Sequence, residues 1–305
     1  MARADTPGSG WAAPALLIGG MALFGSATPV SKLVGAAFPP MLAGLMRVGI
    51  GSALLMLAAR EHWRDIPGIK RGDWLRLALI ALFGMFGFSA LMLYGMRLAS
   101  GVAGATIMAM TPAVTAAGAM LFFGEKPSWR KIAALCAAVG GALLLELGRA
   151  GGGGDPGALS GALLIFAAIC CEAAYTLIGQ RVSKVIDPVL AAGLGALLAL
   201  PLFAVAALVT GQLGPPRADG TGWAALLFYA AGTLALGSWL WYRGIAQVSG
   251  VVAATFMGVM PLTALVLSYW LLGEPFRWIH LGGFVIVFAG VLLMSWEHAR
   301  AATAA

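Results

Sequence analysis

Charged side chains are scarce in this sequence. They make up 10% of its 305 residues, whereas 61% of the residues are hydrophobic. Soluble domains carry about a quarter charged residues, so this composition excludes an ordinary water-soluble fold. The formal net charge is +7, but the Lys and Arg residues stand singly in short polar segments and form no basic stripe. We therefore expect no nucleic-acid partner.

Cysteine and histidine are rare as well, with three residues of each type. The cysteines all lie inside apolar stretches and two of them are adjacent, so no disulfide framework is expected. They are Cys136, Cys170 and Cys171. The histidines are scattered near the ends of apolar stretches and form no metal-binding pattern. They are His62, His280 and His298. We expect neither a metal ion nor another cofactor.

Catalytic and nucleotide-binding signatures are missing too. The chain has no Walker A sequence, which disfavours a pump driven by its own ATP hydrolysis. It has neither a Gly-x-Ser-x-Gly elbow nor a His-Glu-x-x-His pair, which disfavours an enzyme within the membrane. We assign no catalytic residue, and transport by such a chain would depend on gradients.

Apolar stretches of about 20 residues, the length of a helix that crosses a bilayer, recur along the whole chain. The first is long enough to span, so we expect it to be retained and not cleaved as a signal peptide. The predicted spans are 12–32, 38–60, 74–96, 101–123, 131–147, 157–180, 187–210, 222–243, 250–272 and 278–296.

The two halves of the chain align at a constant offset of 149 residues, which pairs Pro39 with Pro188 and Trp74 with Trp223. The same offset pairs Ser89 with Ser238, Gly95 with Gly244, Ser100-Gly101 with Ser249-Gly250, Thr106 with Thr255, Pro112 with Pro261, Gly124-Glu125 with Gly273-Glu274, and Gly141 with Gly290. A constant register that includes Trp and Pro pairs indicates a duplication.

Each copy contains five spans, so the second copy is expected to enter the membrane upside down relative to the first. The predicted fold is an all-α integral membrane protein of ten transmembrane helices in two inverted five-helix repeats, 1–150 and 157–305, with a Gly-rich linker at 151–156. With the N-terminus inside, 13 of the 19 Lys and Arg residues lie in inner segments and five in outer segments, Arg47 being inside a span. This bias predicts cytoplasmic termini.

Several motifs resemble the EamA type of the drug/metabolite transporter superfamily. They are Phe24-Gly25-Ser26 leading to Ser31-Lys32, the turns Gly124-Glu125-Lys126-Pro127 and Gly273-Glu274-Pro275, and the Gly-rich fifth and tenth spans. The resemblance covers essentially the whole chain. The resemblance implies a cavity between the repeats that opens alternately to the two sides of the membrane. It also implies that the protein exports amino acids, metabolites or drugs. From their position after Gly, Glu125 and Glu274 are expected to cap or pair locally.

Glu172 lies near the middle of the sixth span. The segment Glu172-Ala173-Ala174-Tyr175 resembles the sixth helix of the superfamily's aromatic amino-acid exporters, with Glu172 in place of a Trp. An ionised acid at that depth costs about 2.5–3.5 kcal/mol on insertion scales, so it should face the protein interior. Glu172 is a candidate to bind a substrate ammonium group or to carry a proton as coupling ion. The alternative is a purely stabilising hydrogen bond to a neighbouring helix.

Arg47 is the second interior charge, and it lies in the second span. It is a candidate to receive a substrate carboxylate or to pair with Glu172. The alternatives are a structural bond to backbone carbonyls and a side chain that extends to the membrane surface. Sequence alone does not give its distance from Glu172.

Pro112 and Pro261 occupy equivalent places in the fourth and ninth spans, and each frees a backbone carbonyl one turn earlier, at Met108 and Met257. These prolines are predicted gating kinks, with passive curvature as the alternative. Isolated hydroxyls and flexible Met side chains surround them and are typical of a lining for varied apolar solutes, although ordinary packing is equally typical of such residues. The predicted lining on these spans comprises Thr106, Met110, Thr111, Thr255 and Met260.

Aromatic side chains add flat faces suited to an aromatic or cationic solute. Tyr175 and Trp239 lie deep enough to line a pocket, whereas Trp241 and Tyr242 are predicted to be anchors at the membrane surface. Ser238, next to Trp239, completes the predicted substrate-binding set.

We conclude from the sequence that the chain is a monomeric secondary transporter of the bacterial inner membrane. It is predicted to export small organic solutes by alternating access. Aromatic or other neutral amino acids are the leading substrates, because one acid, one base and several aromatic faces match their three chemical parts. Protons are the candidate coupling ions. A passive channel, a membrane scaffold and a carrier for drugs or other metabolites stay open as alternatives.

Overall fold

The computed structural model describes residues 12–123, 156–248 and 256–278, together with 281, 282, 284–286 and 289. These residues form helices and connecting turns, and they contain no strand. The predicted fifth span, 131–147, lies outside the described residues, as does most of the tenth, 278–296. The structure therefore agrees with the predicted all-helical class for the part of the chain that it describes.

The helices are numbered in chain order. They are α1 (Ala12–Ala37), α2 (Pro40–Ala58), α3 (Arg71–Ile80), α4 (Phe88–Leu98), α5 (Gly101–Met108), α6 (Thr111–Phe123), α7 (Pro156–Val182), α8 (Pro188–Val209), α9 (Gly220–Leu227), α10 (Gly237–Ile245) and α11 (Val259–Leu272). A 3₁₀ helix at Arg60–Gly68 follows α2. Two π-helical segments, Ala81–Gly87 and Phe228–Leu236, join α3 to α4 and α9 to α10.

Seven helical stretches in the described part of the chain are long and apolar enough to cross a membrane. They are Ala12–Ala37, Pro40–Ala58, Arg71–Leu98, Gly101–Phe122, Leu159–Val182, Pro188–Val209 and Gly220–Ile245. They coincide with predicted spans one to four and six to eight, and the shorter α11 lies within predicted span nine. Large apolar side chains such as Phe122, Val209 and Trp270 are 79–80% exposed, as expected for groups that face lipid.

The helix starts follow local sequence rules. Pro40 and Pro188 begin α2 and α8, where the backbone N–H that proline lacks would have no partner within the helix. Asp187 caps α8 and Asp219 caps α9, in each case through a side-chain oxygen that accepts backbone N–H groups.

Both prolines that were predicted to kink their spans lie at helix interruptions. α5 ends at Met108 and α6 begins at Thr111, next to Pro112. In the second half, α11 begins at Val259, two residues before Pro261. The Thr111 hydroxyl donates to the Met108 carbonyl at 2.7 Å, so the carbonyl that Pro112 frees accepts a hydrogen bond across the α5–α6 interruption.

The two π-helical segments are related by the duplication. Moving Ala81–Gly87 forward by the offset of 149 gives 230–236, which lies within Phe228–Leu236. π-Helical turns are rare and are frequently found at functional sites. The duplication in the sequence therefore coincides with a shared backbone deformation in the third and eighth predicted spans.

Helices from opposite halves pack against each other. α1 packs against α10 and α11, α7 packs against α4 and α6, and α2 packs against α8. At the α4–α7 crossing, a Cβ added to Gly95 would lie 2.7 Å from Ile165. At the α1–α10 crossing, a Cβ added to Gly244 would lie 2.8 Å from Leu17. This glycine pair of the duplication is therefore required for close helix approach in both halves.

The Gly273-Glu274 turn joins the halves at one end of the molecule. Gly273 ends α11 in the left-handed conformation, with φ of 61°. The carboxylate of Glu274 then accepts the backbone N–H groups of Gly101 at 2.5 Å and Val102 at 3.0 Å, at the start of α5. Glu274 thus caps a helix, which is one of the two expected roles, but the helix belongs to the other half and the contact is not local. Glu125 lies outside the described residues.

Candidate substrate-binding site

Arg47 is held in the interior by both halves of the molecule. Its side chain is 6% exposed, and its Nη1 donates to Ser89 Oγ at 2.5 Å. Its Nε donates to the Tyr229 carbonyl at 3.4 Å, and its guanidinium carbon lies 4.3 Å from the centroid of the Tyr229 ring. Ser89 belongs to α4 and Tyr229 to the second π-helical segment. Of the two structural alternatives for Arg47, the bond to a backbone carbonyl is present and the extension to the membrane surface is not, because the guanidinium is fixed in the core.

Glu172 of α7 faces the same interior region. Its Oε2 is inaccessible to solvent and has no hydrogen-bond partner among the described residues. Cys171, next to Glu172, packs against Gly87, two residues before the Ser89 that bonds Arg47. No ion pair within 4.0 Å joins the Glu172 carboxylate to the Arg47 guanidinium. The two interior charges, one from each half, therefore face the same region without direct contact.

Tyr175 lies one turn after Glu172 and contacts the first half through a glycine. A Cβ on Gly84, in the first π-helical segment, would lie 2.6 Å from Cγ of the Tyr175 ring. The Tyr175 hydroxyl lies 3.2 Å from that of Tyr242, at hydrogen-bond distance. Tyr242 was predicted to be a membrane-surface anchor, but its hydroxyl points to this interior partner. The ring positions of Tyr175 and Tyr242 are therefore set by contacts inside the protein.

A cavity of about 310 Å³ opens at the end of α2, the start of α8 and the side of α10. We call it the vestibule, and it is lined by Ala58, Ala59, Glu61, His62, Asp187, Val189, Trp239 and Arg243. The Arg243 guanidinium lies 5.2 Å from the centre of the Trp239 ring. His62 Nε2 lies 3.7 Å from Asp187 Oδ2, which connects the two halves at the rim. Trp239 therefore belongs to the vestibule.

Polar groups continue from the vestibule to the interior charges. Tyr242 precedes the vestibule residue Arg243 on α10, and its hydroxyl lies 3.2 Å from that of Tyr175. Tyr175 lies one turn after Glu172 on α7. The polar line therefore begins at the vestibule and runs through Tyr242 and Tyr175 to Glu172. A polar solute or a proton that crosses the interior would find groups of this kind along its route.

Several predicted lining residues are tightly packed in this conformation. Thr106, Met110 and Thr111 are at most 6% exposed. The Thr106 hydroxyl donates to the Val102 carbonyl at 3.0 Å, which satisfies it within α5. These side chains pack around the Pro112 break, and the two hydroxyls bond backbone carbonyls of the same predicted span.

The remaining predicted residues are in different surroundings. Ser238 is buried at the start of α10, in the position that corresponds to Ser89. Met260 is partly buried, and its backbone lies so close to α1 that a Cβ on Gly25 would clash with it. Thr255 lies outside the described residues.

The sequence did not reveal which residues contact Arg47 and line the vestibule. Ser89 was found as a member of the duplication but had no sign of contact with Arg47. Tyr229 and Asp187 had no signal at all, because a Tyr in an apolar span and an Asp before a Pro are ordinary in sequence. Arg243 was read only as an inner-loop charge.

Comparisons with known proteins agree with this architecture. The EamA-like transporter family matches the chain twice, at residues 11–147 and 159–296. The uncharacterized transporter YetK of Bacillus subtilis is 29% identical over 282 residues, which cover 91% of this chain and 84% of that protein. A probable terminal-alkyne amino-acid exporter of Streptantibioticus cattleyicolor is 26% identical over 262 residues, which cover 82% of each protein.

A solved crystal structure shares the fold, with a TM-score of 0.65 at 19% identity, over 94% of this chain and 98% of the other. The matching family and these relatives are transporters, so the chain is a transporter and not an enzyme. Its ligand is a small molecule that it binds within the bilayer. The helices of the described residues are long enough to cross a bacterial inner membrane several times. The chain therefore belongs to the EamA-like transporter family of the drug/metabolite transporter superfamily.

Proposed function

We propose that the protein is an alternating-access carrier that exports a neutral amino acid, with aromatic amino acids as leading substrates, and that it binds the amino acid between Glu172 and Arg47. The observation that carries the proposal is the Glu172 Oε2 atom, which is buried without a hydrogen-bond partner among the described residues. A buried carboxylate that lacks a partner costs several kcal/mol. A substrate ammonium group or a proton would remove that cost.

Arg47 supplies the opposite charge for a zwitterion. Its Nη1 and Nε are engaged by Ser89 and Tyr229, whereas its Nη2 has no bond to a described residue. A guanidinium binds a carboxylate through its in-plane N–H groups, so Nη2 can receive the substrate carboxylate. The ring of Tyr175 offers an adjacent apolar surface. The relative named as an amino-acid exporter supports this substrate class.

The proposed architecture is that of ten helices in two inverted repeats, 1–150 and 157–305, which act as a monomer. Three observations support it. The family matches each half once. The π-helical segments occur at equivalent positions. The packing of α1 on α10 and α11 has its equivalent in the packing of α7 on α4 and α6. Secondary transporters of this kind hold their substrate at the repeat interface.

The proposed orientation places both termini in the cytoplasm, which follows the excess of Lys and Arg in the inner segments. The vestibule then opens to the cytoplasm. At the opposite end, Gln212 Oε1 accepts the backbone N–H of Met41 at 2.9 Å, and Gln212 Nε2 donates to the Tyr94 hydroxyl at 2.7 Å. The rings of Phe38 and Trp223 meet edge to face at 5.1 Å. This inward-facing arrangement suits a carrier that loads its solute inside the cell.

Proton coupling follows from the same carboxylate. After release of the amino acid outside, the Glu172 carboxylate would be left buried without a hydrogen-bond partner. Uptake of a proton from outside neutralises this carboxyl group, while Arg47 keeps its charge and its bonds to Ser89 and Tyr229, so the carrier exchanges one amino acid for one proton. The predicted role of Glu172 in substrate binding and its role in coupling are then successive states of one group.

The test is counterflow of labelled amino acids in proteoliposomes that contain the full chain. We expect saturable exchange of phenylalanine or another neutral amino acid, accelerated by a pH gradient. Glu172→Gln should abolish the response to the pH gradient, and Arg47→Gln should weaken apparent affinity for the amino acid by tenfold or more, the value of a charge-assisted hydrogen bond. Asp219→Asn removes a carboxylate but keeps a good helix cap, so it serves as the control.

Three results would contradict the proposal. Linear, non-saturable flux would indicate a channel. Full activity of both interior variants, in protein that elutes as a single folded species, would remove Glu172 and Arg47 from the transport route. Saturable exchange of hydrophobic cations with no exchange of amino acids would assign the carrier to drugs.

A further inference from the structure

Arg243 reaches the vestibule without an acidic partner. Among the described residues, no carboxylate lies within 4.0 Å of its guanidinium. The guanidinium instead lies over the Trp239 ring at 5.2 Å. Arginine stacked on an aromatic ring keeps its in-plane N–H donors for an anion. The pair therefore offers a carboxylate-binding group beside a flat apolar surface.

Acidic groups lie on the other elements around the same cavity. Asp187 is fixed in place because its Oδ1 accepts the backbone N–H groups of Val189 and Leu190 at 3.0 and 2.9 Å. Its Oδ2 faces His62. Glu61 stands on the 3₁₀ helix, and it forms no ion pair with a described residue. Acids and a base thus surround one volume without neutralising each other.

We infer that the vestibule is a second amino-acid-binding site, in which Arg243 holds the carboxylate of the amino acid, Asp187 and Glu61 hold its ammonium group, and Trp239 contacts its side chain. The inference rests on the proposed function, which supplies the substrate class and the orientation. At about 310 Å³, the cavity is at the lower end of the range for small-molecule pockets, which suits a single amino acid.

The chemistry of the lining favours a zwitterion over other ligands. A phosphate or another simple anion would meet the repulsion of two carboxylates. In the described part of the chain, no group of three or more His, Cys, Asp or Glu side chains is arranged to hold a metal ion. A hydrophobic cation would leave Arg243 without a partner. A ligand that carries both charges and an apolar part matches Arg243, the two carboxylates and Trp239 together.

The vestibule site is separate from the interior site. Tyr242 precedes Arg243 on α10, its hydroxyl lies 3.2 Å from that of Tyr175, and Glu172 lies one turn before Tyr175 on α7. The tyrosine pair must part before an amino acid passes from one site to the other. The vestibule site therefore selects zwitterions on the cytoplasmic side before this step, and it raises their concentration at the entrance.

The experiment observes Trp239 directly. The full chain is labelled with 5-fluorotryptophan, and the ¹⁹F resonance of Trp239 is identified by its loss in Trp239→Phe. L-Phenylalanine is added to the native protein and to Arg47→Gln, in which binding at the interior site is expected to be at least tenfold weaker. We expect a saturable shift of the Trp239 resonance in both. Phenethylamine, which lacks the carboxylate, and 3-phenylpropionate, which lacks the amine, should each bind at least tenfold more weakly.

Variants assign the groups. Arg243→Gln should raise the half-saturating concentration of L-phenylalanine about tenfold. Arg243→Lys keeps the charge, so its half-saturating concentration should lie between those of the native protein and Arg243→Gln. Arg217→Gln, at an exposed position near the opposite end of the molecule, is the matched control and should bind as the native protein does. The dispersion of the ¹⁹F spectrum shows in each case that the variant is folded.

The outcomes separate this inference from the proposed function. If native protein exchanges amino acids while the Trp239 resonance does not respond, or responds equally in Arg243→Gln, the vestibule site is refuted and the interior site stands. If Trp239 responds as expected while Glu172→Gln and Arg47→Gln transport like the native protein, the interior site is refuted and the vestibule site stands.

Discussion

The contact between Glu274 and α5 allows a quantitative prediction. The first three N–H groups of α5 have no partner within the helix, and all are satisfied by side chains. Glu274 accepts those of Gly101 and Val102, and Ser100 Oγ accepts that of Ala103 at 3.2 Å. Every residue of α5 is buried, so water cannot replace a lost acceptor. Substitution of Glu274 should therefore destabilise the whole bundle.

The magnitude follows from the two hydrogen bonds. A hydrogen bond to a charged group contributes about 1.5–3 kcal/mol, and an acid at a helix N-terminus adds about 0.3–1 kcal/mol. Glu274→Gln keeps one acceptor oxygen but loses the charge and one bond, which should cost about 2 kcal/mol of the free energy of unfolding. That cost is about a 30-fold change in the unfolding equilibrium. Glu274→Ala leaves both buried N–H groups unsatisfied and should cost about 3–4 kcal/mol.

The assay is unfolding of purified protein in mixed micelles of mild detergent and SDS, followed by Trp fluorescence. We expect the midpoint to fall in the order native, Glu274→Gln, Glu274→Ala. Asp219→Asn is the control, because asparagine caps a helix as well as aspartate does, and its midpoint should stay at the native value. If Glu274→Ala is as stable as the native protein, the carboxylate contributes nothing to the fold and the reasoning is refuted.

Three further predictions follow from the packing around the interior charges. Gly84→Ala places a methyl group against the Tyr175 ring, so transport should slow while the protein stays inserted, and an added Tyr175→Ala should relieve the clash; counterflow with no such relief would argue against the contact. Ser89→Ala removes an acceptor from buried Arg47 and should lower unfolding stability by about 1–3 kcal/mol, whereas Ser238→Ala at the equivalent position should cost less; equal losses would contradict this assignment. Gln212→Leu breaks two bonds at the closed end, so a cysteine placed nearby should react faster with a membrane-impermeant thiol reagent, and an unchanged rate would show that these bonds do not hold that end closed.

Span placement could be predicted from sequence because it depends on local composition. Stretches of about 20 apolar residues have one stable arrangement in a bilayer, so α1, α2 and α8 agree closely with their predicted spans. The helix interruptions at Pro112 and Pro261 were predictable for the same reason, since proline acts on its own helix. The π-helical segments were not, because their backbone geometry responds to packing by other helices.

The candidate site was predictable only in part. Glu172 and Arg47 were identified because charges are rare and costly inside spans. The role assigned to Thr106 and Thr111 depended on which way their side chains face, and their hydroxyls bond to their own helix. Trp239 was predicted to line a pocket and lines the vestibule, but the vestibule residue Asp187 comes from a segment far away in the chain, so no local pattern could indicate this cavity.

By itself, the sequence determined that this is a membrane protein with a duplicated unit. It also determined which residues form the spans and which charges must be kept from lipid. The spans and the buried charges depend on the free energy of moving side chains from water into hydrocarbon. The tertiary structure alone decided that Glu172 and Arg47 face the same region without an ion pair, that Glu274 caps a helix of the other half, and that Trp239 lies with Arg243 at a separate cavity. Those facts depend on how helices distant in sequence cross, and the crossings are set by glycine contacts and buried hydrogen bonds that become visible only when both partners are in place.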